Sequence, residues 1–140
     1  MYYEFEITVP VTATKEAPIK LDCMLKYGIL RKVFMSYPAG VHRVTKLFIY
    51  RWERQIFPAN PDSLITSDDF TVIFEEYLPI IEIPYNLTIF GYNEGGSYEH
   101  TIRCGFTLLP IKASGVYPAA EMAQEELKEL LGEYELVGVT

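Results

Sequence analysis

The sequence predicts an all-β fold: an antiparallel two-sheet sandwich, either jelly-roll or immunoglobulin-like, with a short C-terminal helix. Apolar and polar residues alternate with a period of two from residue 1 to about residue 109, which is typical of half-buried strands. Turn residues interrupt this alternation about every dozen residues, as in two-sheet sandwiches. Residues 111–140 then change to a helical pattern.

The alternation predicts seven strands, at residues 3–9, 19–25, 29–37, 44–52, 70–75, 85–92 and 98–109. The fourth strand is apolar on both faces, with Leu47 and Ile49 opposite to Phe48 and Tyr50. Strands that are buried on both faces lack a polar side. We therefore expect this strand to be central and covered on two sides.

Two connections have clear sequence signals. Residues 55–69 contain two prolines and three aspartates, a composition that predicts a loop. Residues 93–97 include consecutive glycines, which supply the positive φ of a tight turn. They predict a hairpin that joins the last two strands.

Length and composition indicate one folded domain. The chain has 140 residues, of which 49% are hydrophobic and 14% aromatic, too apolar for a disordered protein. We assign residues 1–110 to the sandwich. Residues 111–140 are assigned to a linker, an amphipathic helix and a terminal strand, which together form a candidate assembly arm.

The net charge of −7 argues against nucleic acid as a partner, because the average surface repels phosphate. The basic residues of the first half alternate with apolar ones, as on the solvated face of strands. The other interpretation is a local basic patch that meets an acidic partner.

Cys23 and Cys104 both occupy apolar positions of the alternation, which predicts two reduced thiols in the core. A disulfide between facing strands is the alternative. Neither cysteine has the spacing of a metal site, and we expect no metal and no cofactor. We also expect no secretion signal and no membrane segment, and therefore a soluble protein.

The C-terminal helix begins at Pro118, which suits a first helical turn, and ends at Gly132. Met122, Leu127, Leu130 and Leu131 form a narrow apolar stripe along it. Residues 135–139 have the pattern of an edge strand. The stripe must pack on its own sandwich or on a neighbouring subunit, and we favour the neighbouring subunit.

Polar residues do not form a catalytic set. His100 and Cys104 are four residues apart on one strand, a separation of about 13 Å, which is too long for direct contact. Adjacent acidic residues point to opposite faces of a strand, so no carboxylate pair is placed for glycoside hydrolysis. Asn60, Asp62 and Asp68 lack the spacing of an EF-hand. We predict no catalytic residues and no enzyme activity.

Aromatic residues are the more informative surplus, with 11 Tyr and 8 Phe. Most of them are expected in the core. Near strand ends and loops, aromatic side chains can anchor a protein interface or stack on a sugar. If the surface carries a binding site, the sequence favours Trp52, Phe57, Tyr92 and Tyr98.

Two stretches carry a resemblance, IYRWERQIFPANPDSLITSDD and IPYNLTIFGYNEGGSYEHTIRCGFTLLP. Across residues 45–110 the chain resembles small β-sandwich proteins of tailed bacteriophage virions. The anchors of the resemblance are residues 55–58, 60–62 and 92–94, and they carry no catalytic motif. The resemblance implies a capsid decoration or tail-associated protein that is assembled in the host cytoplasm.

The sequence thus favours a non-enzymatic structural protein that forms homo-oligomers or attaches to a larger particle. The alternative is a carbohydrate-binding module that uses the loop aromatics.

Overall fold

The computed structural model describes residues 1–60 and 62–111. These residues form eight strands: β1 Tyr2–Val9, β2 Ile19–Met24, β3 Gly28–Tyr37, β4 Thr45–Arg51, β5 Arg54–Phe57, β6 Phe70–Ile80, β7 Asn86–Asn93 and β8 His100–Leu109. The strands make two antiparallel four-stranded sheets that share one core. The predicted all-β sandwich is confirmed.

The strand order is that of a jelly roll. The first sheet has the order β1-β8-β3-β6, and the second sheet has the order β2-β7-β4-β5. β1 therefore pairs with β8, β2 with β7, β3 with β6 and β4 with β5, so that a ribbon of strand pairs wraps across both sheets. This pairing decides between the two sandwich types that the sequence left open.

The alternation places one side of each strand in the core. In β4, Leu47 and Ile49 are fully buried, and Phe48 and Tyr50 lie on the opposite face. β4 lies between β7 and β5, which confirms its predicted central position in a sheet. Both sheets contribute apolar side chains whose burial stabilises the fold, among them Ile7, Val33, Met35, Ile89, Ile102 and Phe106.

Both cysteines lie in this core, as the alternation predicted. Cys23 of β2 and Cys104 of β8 are fully buried free thiols on facing sheets. Burial disfavours a thiolate, and it raises the pKa of Cys23 to about 12. It raises the pKa of Cys104 as well. The interpretation as core thiols is confirmed over the disulfide alternative.

The predicted hairpin at residues 93–97 is wrong. β7 belongs to the second sheet and β8 to the first, so residues 94–99 cross from one sheet to the other. Glycines suit either kind of chain reversal, and Gly95 does have a positive φ of 84°. The crossing is fixed by Asn93, whose Oδ1 accepts a hydrogen bond from Thr45 Oγ1 at 2.6 Å and whose Nδ2 donates to the Val9 carbonyl at 3.1 Å.

β5 lies in the region that was predicted to be a loop. It has four residues, and Pro58 follows it directly, so its alternation is too short to recognise. Trp52 has a φ of 57°, which reverses the chain between β4 and β5. Beyond β5, Gln55 Nε2 donates hydrogen bonds to the carbonyls of Pro58 at 2.9 Å and Ser63 at 3.1 Å, and this holds the connection to β6.

The sandwich has two ends that differ in their connections. Residues 25–27, 52–53 and 81–85 form the end at which β8 finishes, which we call the exit end. The other connections form the far end. Ile111, which follows β8, is buried.

Two predicted elements lie outside the described residues: the helix at residues 118–132 and the strand at residues 135–139. The same holds for the residues of the apolar stripe, Met122, Leu127, Leu130 and Leu131. Within residues 1–60 and 62–111, no helix is long and apolar enough to cross a membrane.

Candidate functional site

The four aromatic residues favoured by the sequence do not form one surface. Phe57 is 5% exposed and Tyr92 is 4% exposed, so both are core residues. Trp52 is 46% exposed at the exit end, whereas Tyr98 is 77% exposed at the far end. The prediction of one aromatic surface group is therefore wrong. Phe57 points inward because β5 turns it against Phe74 of the facing sheet, with 5.2 Å between ring centroids.

Arg51 organises the exit end. From the end of β4, its guanidinium donates hydrogen bonds to the carbonyl oxygens of Glu82 at 3.0 Å, Asn86 at 3.4 Å and Pro84 at 3.5 Å. Burial lowers the pKa of Arg51, and the Glu82 carboxylate acts in the opposite direction. Three carbonyl dipoles around one cation hold the connection between β6 and β7 in place.

Trp52 packs directly on this guanidinium. The Arg51 guanidinium carbon lies 4.3 Å from the centroid of the Trp52 ring, which is a cation–π contact. The indole Nε1 donates a hydrogen bond to the Pro84 carbonyl at 3.2 Å. Trp52 is therefore held in one orientation while nearly half of its surface stays exposed.

Other exposed apolar side chains lie at the same end. Ile83 is 80% exposed beside Pro84, and Met24 pairs with Asn86 at the start of β7. Met1 and Tyr2 are exposed at this end of the first sheet, where the backbone of Met1 is hydrogen-bonded to that of Leu108 and the Tyr2 ring stacks on Phe34. We call these five residues the apolar end: Met1, Tyr2, Met24, Trp52 and Ile83. Neighbouring exposed apolar side chains mark interaction sites, and here Trp52 is hydrogen-bonded to Pro84, which directly follows Ile83.

A second apolar feature covers the outer face of the second sheet. The rings of Phe48 and Phe90 stack with centroids 5.2 Å apart, and Tyr50 packs edge-on against Phe90 at 5.1 Å. We call these three residues the aromatic face. The sequence pattern indicated the apolar outer face of β4 but not Phe90, whose contribution depends on its pairing with Phe48 across β4 and β7.

A cavity of about 230 Å³ opens between the edge strands β5 and β6. Ile56 and Phe57 line it from the second sheet, and Val72 and Phe74 line it from the first. Glu76 is a charged residue at its wall. The cavity suits a small apolar group, and the sequence did not predict it because it depends on which strands become edges.

The polar candidates have structural partners. Asp68 Oδ1 accepts hydrogen bonds from the backbone N–H groups of His42 at 2.9 Å and Gly40 at 3.1 Å. The hydrogen bond from His42 is the main cause that lowers the pKa of Asp68. His42 Nδ1 lies 3.4 Å from Asp68 Oδ2. Asp68 thus orders the connection between β3 and β4. In residues 1–60 and 62–111 no three His, Cys, Asp or Glu side chains are grouped as metal ligands.

Comparison with known proteins provides no family. No family model matches the chain, and no curated protein matches it. The surfaces are therefore interpreted from their geometry.

Proposed function

We propose that this protein is a non-enzymatic structural subunit that forms homo-oligomers through the apolar end. The observation that carries the proposal is the group of exposed apolar side chains around Trp52 and Ile83. Their backbone is fixed by Arg51, so little conformational entropy is lost when a partner covers them. A surface that is apolar, exposed and already ordered favours association of copies.

As a finer proposal, the oligomer is a component of a phage-type virion, either a capsid decoration or a tail-associated protein. Its support is the resemblance of residues 45–110 to small virion sandwiches. Jelly rolls occur in viral capsids and also in lectins, so the fold is compatible with this role without specifying it.

The oligomer is tested by light scattering on the full chain. Met24→Glu combined with Ile83→Glu places two charges on the apolar end, at side chains too exposed to affect the core. We expect a defined oligomer for the unchanged protein and a lower mass for this variant. Tyr98→Glu is the matched control, because Tyr98 is equally exposed at the far end, and it should leave the mass unchanged. A monomeric unchanged protein at all concentrations would refute the proposal.

The virion role is tested by sedimentation of particles from producing cells. We expect the protein to travel with large particles through a density gradient and to remain in the unbound fraction when Met24 and Ile83 are both replaced by Glu. Absence of the unchanged protein from every particle fraction would exclude the finer proposal and leave the oligomer standing.

The second candidate function is carbohydrate binding, favoured by the exposed and fixed ring of Trp52. Sugars stack on such rings. On this hypothesis a glycan array gives a signal that Trp52→Ala abolishes and Tyr98→Ala does not. An array without signal, or binding that survives Trp52→Ala, argues against it.

A further inference from the structure

The aromatic face presents an apolar strip on the outside of the sandwich. Phe48, Tyr50 and Phe90 are half-buried, mainly against each other and the sheet beneath them. Residues 1–60 and 62–111 form two sheets, and this strip is the outer side of the second one. Covering this ordered strip of three aromatic rings with an apolar partner is favourable, because it removes apolar surface from water.

Charge distinguishes the outer faces of the two sheets. On the second sheet, Lys20 is paired with Phe90 and Lys46 lies two residues from Phe48 on the same side. The carboxylate on this face, Asp22, accepts a hydrogen bond from Thr88 Oγ1 at 2.8 Å. This face therefore suits an acidic partner.

The outer face of the first sheet has the opposite balance. Its outward positions include three carboxylates, Glu4, Glu6 and Glu75, against Lys32 and Arg103. An acidic apolar segment would be repelled there and attracted to the second sheet.

The chain itself contains a segment of that chemistry. Residues 112–140 carry six glutamates and two lysines. In a helix, Leu127, Leu130 and Leu131 would fall within about 100° of one another, and Met122 would lie about 80° outside them. The apolar stripe matches the aromatic strip, and the glutamates match Lys20 and Lys46.

The length of the connector favours exchange between copies. Residues 112–117 span at most about 20 Å when fully extended. β8 ends in the first sheet, and the second sheet lies about 10 Å from it. A helix on the outer face of the second sheet has its axis about 10 Å further out, which makes a distance of about 20 Å in all. Docking on the same copy would leave no slack in the connector, whereas a neighbouring copy can place its aromatic face within the reach of the connector.

We propose that the aromatic face binds residues 118–131 of a neighbouring copy, with Lys20 and Lys46 paired to glutamates of that segment. This inference rests on the proposed homo-oligomer and adds to the apolar end a second contact between copies, made through the C-terminal segment. It also provides the cover that the apolar outer face of β4 requires.

The test is site-directed cross-linking in the full chain. Lys20→Cys is placed on the aromatic face, and Glu126→Cys, in a second and differently tagged copy, is placed on the arm. The native Cys23 and Cys104 are buried and give little background. After mixing and mild oxidation we expect a disulfide-linked species that contains both tags. Glu4→Cys, on the outer face of the first sheet, is the matched control and should give at least tenfold less of it.

Three results would overturn the inference: no cross-link with Lys20→Cys, an equal yield with Glu4→Cys, or, in a separate chain that carries both Lys20→Cys and Glu126→Cys, a disulfide that forms only within the chain. Reversal of charge by Lys20→Glu with Lys46→Glu provides an independent measurement. This variant is probed with Glu126→Cys against Asp22→Cys, an exposed position on the same face. The charge reversal should lower the yield severalfold, and an unchanged yield contradicts the charge pairing. Light scattering separates the two proposals, because an oligomer without the cross-link refutes this contact alone.

Discussion

Arg51 shows how one side chain can shape a surface feature. The alternating pattern of basic residues predicted solvated positions, yet the Arg51 guanidinium is turned into the exit end, where it meets three carbonyl oxygens and the Trp52 ring. The planar guanidinium can serve all four contacts because its five N–H donors point outward in a plane while its face stays free. A lysine ammonium has neither the span nor the planar face.

We therefore predict that Arg51→Lys lowers the free energy of unfolding by about 1–2 kcal/mol, since several hydrogen bonds to a charged group and the stacking on Trp52 are lost. Urea unfolding followed by circular dichroism measures this change. Arg54→Lys is the control, because Arg54 is exposed and its replacement should change stability by less than about 0.5 kcal/mol. Equal midpoints for the two variants would show that Arg51 does not hold the exit end.

At the scale of strands, a glycine in β8 allows close packing on the outer face of the first sheet. Gly105 lies between Glu4 of β1 and Phe34 of β3, and a Cβ atom at Gly105 would overlap the ring of Phe34. Phe34 in turn stacks on Tyr2, with centroids 5.8 Å apart. The missing side chain thus lets an aromatic ring lie across β8 and link three strands.

Gly105→Ala should destabilise the protein by about 1–3 kcal/mol, the usual cost of overpacking, and Phe34→Ala should relieve this cost. A double-mutant cycle from urea unfolding measures the coupling. We expect Gly105→Ala to be nearly neutral when residue 34 is alanine. Additive losses would mean that the Phe34 ring moves aside without cost.

The strands show what sequence pattern determines and what it leaves open. Period-two alternation located β3 and β7 to within one residue at each end, because burial of one face dictates the pattern. The alternation predicted an end at residue 75 for β6, which extends to Ile80. Residues 75–77 are all exposed, beside the register shift between Leu30 and Lys32 of β3, and this interrupts the pattern. Alternation carries no information on partners, so neither the crossing at residues 94–99 nor the short strand β5 was predicted.

The same limit explains the candidate site. Trp52 was predicted from its type and position, but the apolar end also needs residues 82–86, which lie 30 to 34 positions further along the chain. They meet Arg51 because β7 pairs with β4 and begins beside the end of β4. Phe57 was wrongly placed for a related reason: loop composition does not show which side of a short strand faces the opposite sheet. Tyr92 lies in β7 and is buried although its partner Lys46 is on the outer face, which the alternation does not show.

For the molecule as a whole, the buried ionisable groups make stability depend on pH in the alkaline range. Cys23, Cys104 and Tyr37 lie in the shared core, and burial raises the pKa of each. The Tyr37 hydroxyl also donates a hydrogen bond to the Ile65 carbonyl at 2.7 Å. This bond joins the first sheet to the connection between β5 and β6. Burial in the folded sandwich therefore favours the protonated form of all three groups.

The sign of the effect follows from Cys23, whose pKa is raised from 9.0 to about 12. Below pH 9 the thiol is protonated in both states and its contribution is fully present. Between pH 9 and pH 12 the unfolded thiol ionises while the native one does not, so the native state loses stability by about 1.4 kcal/mol per pH unit for this group. Urea midpoints should therefore fall from pH 9 upwards, and less steeply in Cys23→Ala, although the cavity lowers that variant's stability at every pH. Parallel curves for the two proteins would mean that water reaches the Cys23 thiol in the folded state.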